Sequence, residues 1–250
     1  MWFTALEVRA KSEMMNERYE IRGVIATGGA AMVHVGWDRL MNRAVAIKRT
    51  DAAGGADVLL HEADILRRIG HPNIVSLLDS GQDEKGTFIV MELVGGETLE
   101  ERVAERPLDA AEFEQVATQT LNGLIASHAQ HVVHLDLKPA NVLIRPDGSA
   151  VLLDFGLSCN AMYPDLLAEQ LRKAVGSPAW IAPEQVVGVR GDPRSDIFAI
   201  GVMLYELATG KLPFGVPQTA GGLRQRLWVD PVPPRKLQPN LPEWLQEVIL

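Results

Sequence analysis

The chain has 250 residues, 47% of them hydrophobic and 22% charged, the proportions of an ordinary folded protein rather than a disordered one. A formal charge of −8 argues against a nucleic-acid or anionic-lipid partner, since phosphate surfaces reward an excess of Lys and Arg. The single cysteine, Cys159, excludes an intrachain disulfide, and no run reaches the ~18 apolar residues of a membrane span, so a cytoplasmic address with no membrane segment is the expectation.

From Tyr19 to Val94 the pattern is mainly that of strands. MVHVGW alternates at 32–37, AVAIKR follows at 44–49, and TFIVMELV at 87–94 is a buried run. Between them Val58, Leu59, Ile65, Leu66 and Ile69 fall at helical spacing, with Glu62 close to that face, and Gly70 and Pro72 end the helix. Beyond Gly95-Gly96 the balance turns to helices. Phe113, Val116, Ala117, Leu121, Leu124, Ile125 and His128 mark one stripe of a long amphipathic helix. VLI at 142–144 and AVLLD at 150–154 flank Pro146-Asp147-Gly148-Ser149, which reads as a hairpin turn. DIFAIGVMLYELATG at 196–210 is apolar nearly all round, as a central buried helix is, and Gly210 is its natural stop. Trp244, Leu245, Val248 and Ile249 form a last helical stripe without a stop signal, so the chain is expected to end inside a helix.

Four ordered motifs carry chemistry: VAIK at 45–48, HLDLKPAN at 134–141, DFG at 154–156 and APE at 182–184. In order, separation and context they resemble the protein kinase family over the span from about Tyr19 to the last residue. The resemblance implies an α+β, two-lobed fold. A small lobe at 19–91, with a five-stranded antiparallel sheet and one main helix, is joined by a hinge at 92–95 to a mostly helical large lobe at 96–250, incomplete at its C-terminus. Residues 1–18 are expected to be a flexible extension.

The resemblance also assigns roles. Phosphoryl transfer asks a protein for positioning and for neutralisation of phosphate charge rather than for covalent chemistry. Lys48 would hold the α- and β-phosphates of ATP and be oriented by Glu62. Asp154 and Asn141 would hold Mg2+, as hard oxygen ligands suit a hard cation. Asp136 would accept the proton of the attacking hydroxyl, and Lys138 would offset charge on the γ-phosphate. The nucleotide would lie against Ala26, Gly28, Val33, Ala46, Met91 and Leu143, its adenine bonded by the hinge from Glu92 to Val94. DLKPAN and GSPAWIAPE are the forms that go with Ser/Thr protein substrates, with Ser177 bonding the catalytic Asp and Lys. Leu66, Leu77, Phe155 and His134 would stack into a column linking the lobes, and short loops look most like bacterial members.

Two departures stand out. Residues 26–33 read ATGGAAMV, so Ala26 and Ala31 replace the first and third glycines of the phosphate loop and only Gly28 keeps register. Leu135 stands where most members carry an Arg that a phosphate on the activation segment must balance; leucine removes that need, and Ser158 and Tyr163 remain as exposed autophosphorylation candidates. The altered loop keeps a nucleotide-binding pseudokinase scaffold as the alternative, while the APE segment argues against a small-molecule kinase. Cys159 has no basic neighbour in sequence to activate it, and the six histidines show no metal-ligand spacing. Glu184 is expected to lack its partner, leaving the C-terminal face open to self-association.

Overall fold

A computed structural model describes residues 13–27, 31–50, 53–160 and 176–250. The small lobe is an antiparallel sheet of β1 (Glu13–Met14), β2 (Tyr19–Thr27), β3 (Met32–Asp38), β4 (Arg43–Thr50), β5 (Leu77–Asp83) and β6 (Gly86–Glu92), in the order β1-β2-β3-β4-β6-β5. The sheet therefore has six strands, not five. The extra one arises because Asn16 Oδ1 accepts from the Arg18 and Tyr19 amides, a tight turn that folds Glu13 and Met14 back opposite Ile21 and Glu20. Residues 13–18, expected as part of a free extension, belong to the sheet edge. Arg18 ties the turn down by bonding both Asp38 and Asp79, while the buried Tyr19 hydroxyl donates to Asp79 at 2.7 Å.

Helix α1 (Ala53–Arg68) packs behind the sheet through Leu59, Ile65 and Leu66. The connection from α1 to β5 is stitched into the large lobe: the Leu152 amide donates to Asn73 O, the Val75 amide to Leu152 O, and Asn73 Nδ2 to Ala150 O. A continuous apolar core results, running from Leu66 through Ile74, Leu143 and Phe155 to Met203.

The chain enters the large lobe through β7 (Glu97–Thr98) and α2 (Leu99–Glu105). Gly96 sits at φ 136°, and a Cβ there would lie 1.9 Å from Ile144 O, so only glycine allows this close approach. Helix α3 (Ala110–Ala129) starts from a capping box in which Asp109 and Glu112 bond each other's backbone amides. Its buried line is Val116, Thr120, Gly123, Leu124 and Ser127, whereas Ile125, placed on the inner stripe from periodicity, is exposed. The helix packs so close that a Cβ on Gly123 would meet Leu152 at 2.8 Å; small residues, not the largest apolar ones, make this contact.

Strands β8 (Val132–Val133), β9 (Val142–Ile144), β10 (Ala150–Leu152) and β11 (Cys159–Asn160) follow, with β9 and β10 forming the expected hairpin and Gly148 at φ 83° in its turn. Then come α4 (Pro183–Val186), the central α5 (Arg194–Thr209) ended by Gly210 at φ 69°, α6 (Ala220–Arg224), α7 (Pro234–Leu237) and α8 (Glu243–Ile249). In α8, Leu245 and Ile249 are buried while Trp244 and Val248 are 63% and 64% exposed, so the final stripe is only half covered. Glu184, expected to be buried without a partner, is half-buried and accepts from Ser195 Oγ at 2.5 Å, because α4 abuts the start of α5.

Candidate active site

A cleft of about 560 Å³ lies between the sheet and the large lobe. Its apolar walls include Ala26, Val33, Ala46, Met91, Val94 and Leu143; its polar end holds Lys48, Glu62, Asn141 and Asp154, and Glu92 lies on the connecting edge. Gly28 and Tyr163 lie outside the described residues.

Lys48 reaches the cleft because β4 pairs Lys48 with Val33 on one side and Ile89 on the other, which fixes the face its side chain takes. Its ammonium donates to Glu62 Oε1 at 3.0 Å, Glu62 Oε2 at 2.7 Å and Asp154 Oδ1 at 2.7 Å. Burial pulls the Lys48 pKa down, but the two carboxylates outweigh it and hold the ammonium above its ordinary range. Burial pushes the Glu62 carboxyl up against the pull of Lys48, since that side chain is only 1% exposed. Asp154 also loses solvent, yet Lys48 overcomes the effect and keeps its carboxyl below the usual value. The Asp154 backbone stands at φ 57°, a left-handed position that Asp tolerates better than most residues. A Cβ on Gly156 would sit 3.1 Å from Asp154 Oδ1 and 3.4 Å from both Glu62 and Lys48, so glycine here leaves the charged cluster room.

Opposite lies the loop from His134 to Asn141. Asp196, fully buried on α5, accepts from the His134 and Leu135 amides, both at 2.8 Å, and contacts His128 Nε2 at 2.8 Å. These bonds accompany Leu135 at φ 65° and fix the start of the loop that carries Asp136. Asn141 Nδ2 donates to Asp136 O at 2.8 Å and to Asp136 Oδ2 at 3.2 Å. Lys138 Nζ bridges Asp136 Oδ2 at 2.9 Å and Ser177 Oγ at 2.7 Å, while the Ser177 amide and hydroxyl donate to Asp136 Oδ1 at 2.8 and 2.9 Å. The His134 and Phe155 ring centres lie 4.7 Å apart with the rings tilted by 56° rather than stacked, and Leu66 is buried and Leu77 half-buried in the core that holds Phe155.

The stretch after Gly156 is tied on several sides. His61, beside Glu62 on α1, bonds Ser158 O at 3.0 Å; Arg190 donates to Leu157 O at 2.9 Å; and Cys159 and Asn160 pair with Val133 and Val132. Leu135, Val133 and Cys159 form one small apolar cluster. Ser158, expected to be an exposed acceptor, is instead fully buried, because the β11–β8 pairing draws it inward. Asp196 and His61 escaped sequence reasoning: Asp196 is set in an apolar run and His61 in an ordinary helical pattern, so only the fold gives them partners.

The donor set suits Mg2+. Asp154 is 49% exposed, and with Asn141 Nδ2 committed to Asp136, the amide oxygen of Asn141 is left as a hard donor on the same cleft wall. Among the described residues no three His, Cys, Asp or Glu side chains gather as a metal cage. One carboxylate and one amide fit an ion that takes its remaining ligands from phosphate and water.

A family model described as protein kinase domain matches residues 19–244. The chain belongs to the protein kinase domain family. Over 226 residues this kinase domain is 36% identical to serine/threonine-protein kinase PknL of Mycobacterium tuberculosis, covering 88% of the chain and 56% of the relative. It is 33% identical over 239 residues to serine/threonine-protein kinase PrkC of Bacillus subtilis, covering 93% and 37%. To the probable serine/threonine-protein kinase PknB of Corynebacterium glutamicum it is 36% identical over 231 residues, covering 87% and 35%. The kinase domain thus spans about half the length of PknL and about a third of the other two. Among its described residues no helix is long and apolar enough to cross a membrane.

Proposed function

We propose that this kinase domain transfers the γ-phosphoryl group of ATP to Ser or Thr hydroxyls of proteins, with Mg2+. The observation that carries the reading is the bonded set Asp136, Lys138 and Ser177 facing the Lys48, Glu62 and Asp154 cluster across one cleft. In this reading Glu62 orients Lys48 toward the α- and β-phosphates, and Asp154 and Asn141 hold Mg2+, which when bound neutralises phosphate charge. Asp136 takes the proton of the attacking hydroxyl, held in place by the Asn141 amide and by Ser177. Lys138, already beside Asp136, offsets charge on the transferring group. The backbone from Glu92 to Val94 bonds the adenine between Ala46 and Leu143.

The same reading holds that phosphate on the activation segment is not needed. Leu135 fills the apolar cluster with Val133 and Cys159, and His61 ties α1 to Ser158 O directly. The outward Trp244 and Val248 of α8 are read as a self-association face, which sedimentation against concentration tests.

Asp136→Asn tests the main reading. With dephosphorylated casein and labelled Mg-ATP, kcat is expected to fall about 10²- to 10⁴-fold while the ATP-induced rise in melting temperature persists. A variant as fast as the parent removes Asp136 from its role, and a parent that labels no protein removes the kinase reading.

A further inference from the structure

Arg226 follows α6 and is only 5% exposed, yet among the described residues no carboxylate faces its guanidinium. Its donors go to backbone carbonyls: Nε to Leu223 O at 3.1 Å, Nη2 to Pro178 O at 2.8 Å, and Nη1 to Ile181 O and, at 3.5 Å, to Ala179 O. The cation also lies 5.5 Å from the centre of the Phe214 ring, itself stacked on Phe198 of α5. Burying a cation without a counterion is costly, so a guanidinium in this place implies that the carbonyls it gathers must be held. Three of the four belong to the segment directly after Ser177. Its backbone lies outside any strand, and its inward carbonyls need donors that no sheet supplies. Only the planar fork of arginine satisfies several divergent carbonyls at once; lysine offers a single nitrogen.

The other end of the segment is fixed at the chemistry. Ser177 gives its amide and hydroxyl to Asp136, Trp180 and Ile181 amides return to Ser177 O, and Trp180 Nε1 donates to Glu206. A shift of Pro178 to Ile181 therefore displaces Ser177 from beside Asp136, while Lys138 and Asn141 still hold the Asp136 carboxylate.

We propose that Arg226 is a positioning residue for the acceptor polypeptide, clamping the segment Pro178–Ile181 into the shape that lays an incoming hydroxyl beside Asp136. This rests on the kinase reading above. Among the described residues Arg226 bonds neither the nucleotide-cleft residues nor the Lys48 cluster, so its effect is expected on the acceptor side.

The test compares parent, Arg226→Gln and Arg226→Lys, with dephosphorylated casein as acceptor and ATP hydrolysis measured without it. Arg226→Gln is expected to raise KM for casein at least tenfold while KM for ATP and the hydrolysis rate stay within twofold. Arg226→Lys, which keeps the charge but not the fork, is expected to fall between. In the parent the amides of Ser177, Ala179, Trp180 and Ile181 should exchange with solvent more slowly than in Arg226→Gln. Unchanged KM for casein, or a parallel fall in casein labelling and ATP hydrolysis, overturns the proposal and leaves the kinase reading standing. A parent inactive toward both removes the kinase reading and the proposal together. If Arg226→Gln does not fold, Arg226→Lys carries the same split between the two KM values.

Discussion

Lys48 Nζ sits 2.7 Å from Glu62 Oε2, and the bond joins the middle of a strand to the inner face of α1. Removing the charge with Glu62→Gln leaves the ammonium to Asp154 alone, which draws it toward the metal ligand and away from the phosphates. The kcat/KM for ATP is expected to fall tenfold or more, about 1.4 kcal/mol of transition-state stabilisation at least. Glu62→Asp, with the charge on a shorter arm, should lose less. Equal loss in both variants would show that length matters as much as charge, and no loss in either would remove Glu62 from the site.

Leu135 supports a second prediction. If the apolar cluster of Leu135 with Val133 and Cys159 takes the place of a phosphate-bound cation, as proposed, phosphatase-stripped protein, verified by mass spectrometry, should keep most of its rate of casein labelling. Leu135→Ala should cost about 2 to 5 kcal/mol of stability by opening a cavity there. A rate that collapses on dephosphorylation and returns on rephosphorylation would contradict the first half; an unchanged denaturation midpoint would contradict the second.

At the far edge of the sheet, the Arg18 guanidinium bonded to Asp38 holds that carboxyl below its ordinary value of 3.8, helped by the Leu40 and Met41 amides. A depressed folded pKa means that folding favours the ionised form. The stabilisation is complete above the ordinary aspartate value and fades as pH falls through the folded one. Asp38→Asn should melt well below the parent at neutral pH, with the gap narrowing below about pH 4. A gap independent of pH would assign the loss to hydrogen bonding alone.

Gly96 yields a fourth. At φ 136° and with Ile144 O where a Cβ would go, Gly96→Ala must both strain the backbone and push β9 away from β7. The expected cost exceeds the ~1 kcal/mol that a Gly-to-Ala change gains at a tolerant site, with a rise in KM for ATP because β9 carries Leu143. Gly95→Ala, with no neighbour within 4 Å of an added Cβ, is the control and should be nearly silent.

Much of this was legible in the sequence where residue type and spacing both carry information. Lys48, Asp136, Lys138, Asn141 and Asp154 stand in short motifs and Glu62 on a periodic helix, and the structure brings them to one cleft or its rim. What stayed hidden acts through distant partners. His61 looks like any helix residue until Ser158 O is placed against it, and Arg226 like any surface cation until three carbonyls from a segment more than forty residues away converge on it. Ile125 was misassigned because hydrophobic periodicity favours large side chains, while α3 packs on β10 through Gly123, where closeness counts for more than size. The first strand was missed for a related reason: two residues, Glu13 and Met14, carry no periodicity, and an Asn16 turn makes them a strand.

The carboxylate of Asp196 reaches back across 62 and 61 residues to the amides of His134 and Leu135. Contacts so distant in sequence close late, after local hairpins and helices have formed. On a ribosome, the sheet that roofs the cleft, complete by Glu92, has its strands in hand long before residue 196 leaves the exit tunnel. A nascent chain of that intermediate length carries Lys48 and Glu62 but lacks the Asp196 carboxylate that holds the His134 and Leu135 amides. The loop from His134 to Asn141 is therefore expected to take its final shape only once α5 has been made and Asp196 can reach it.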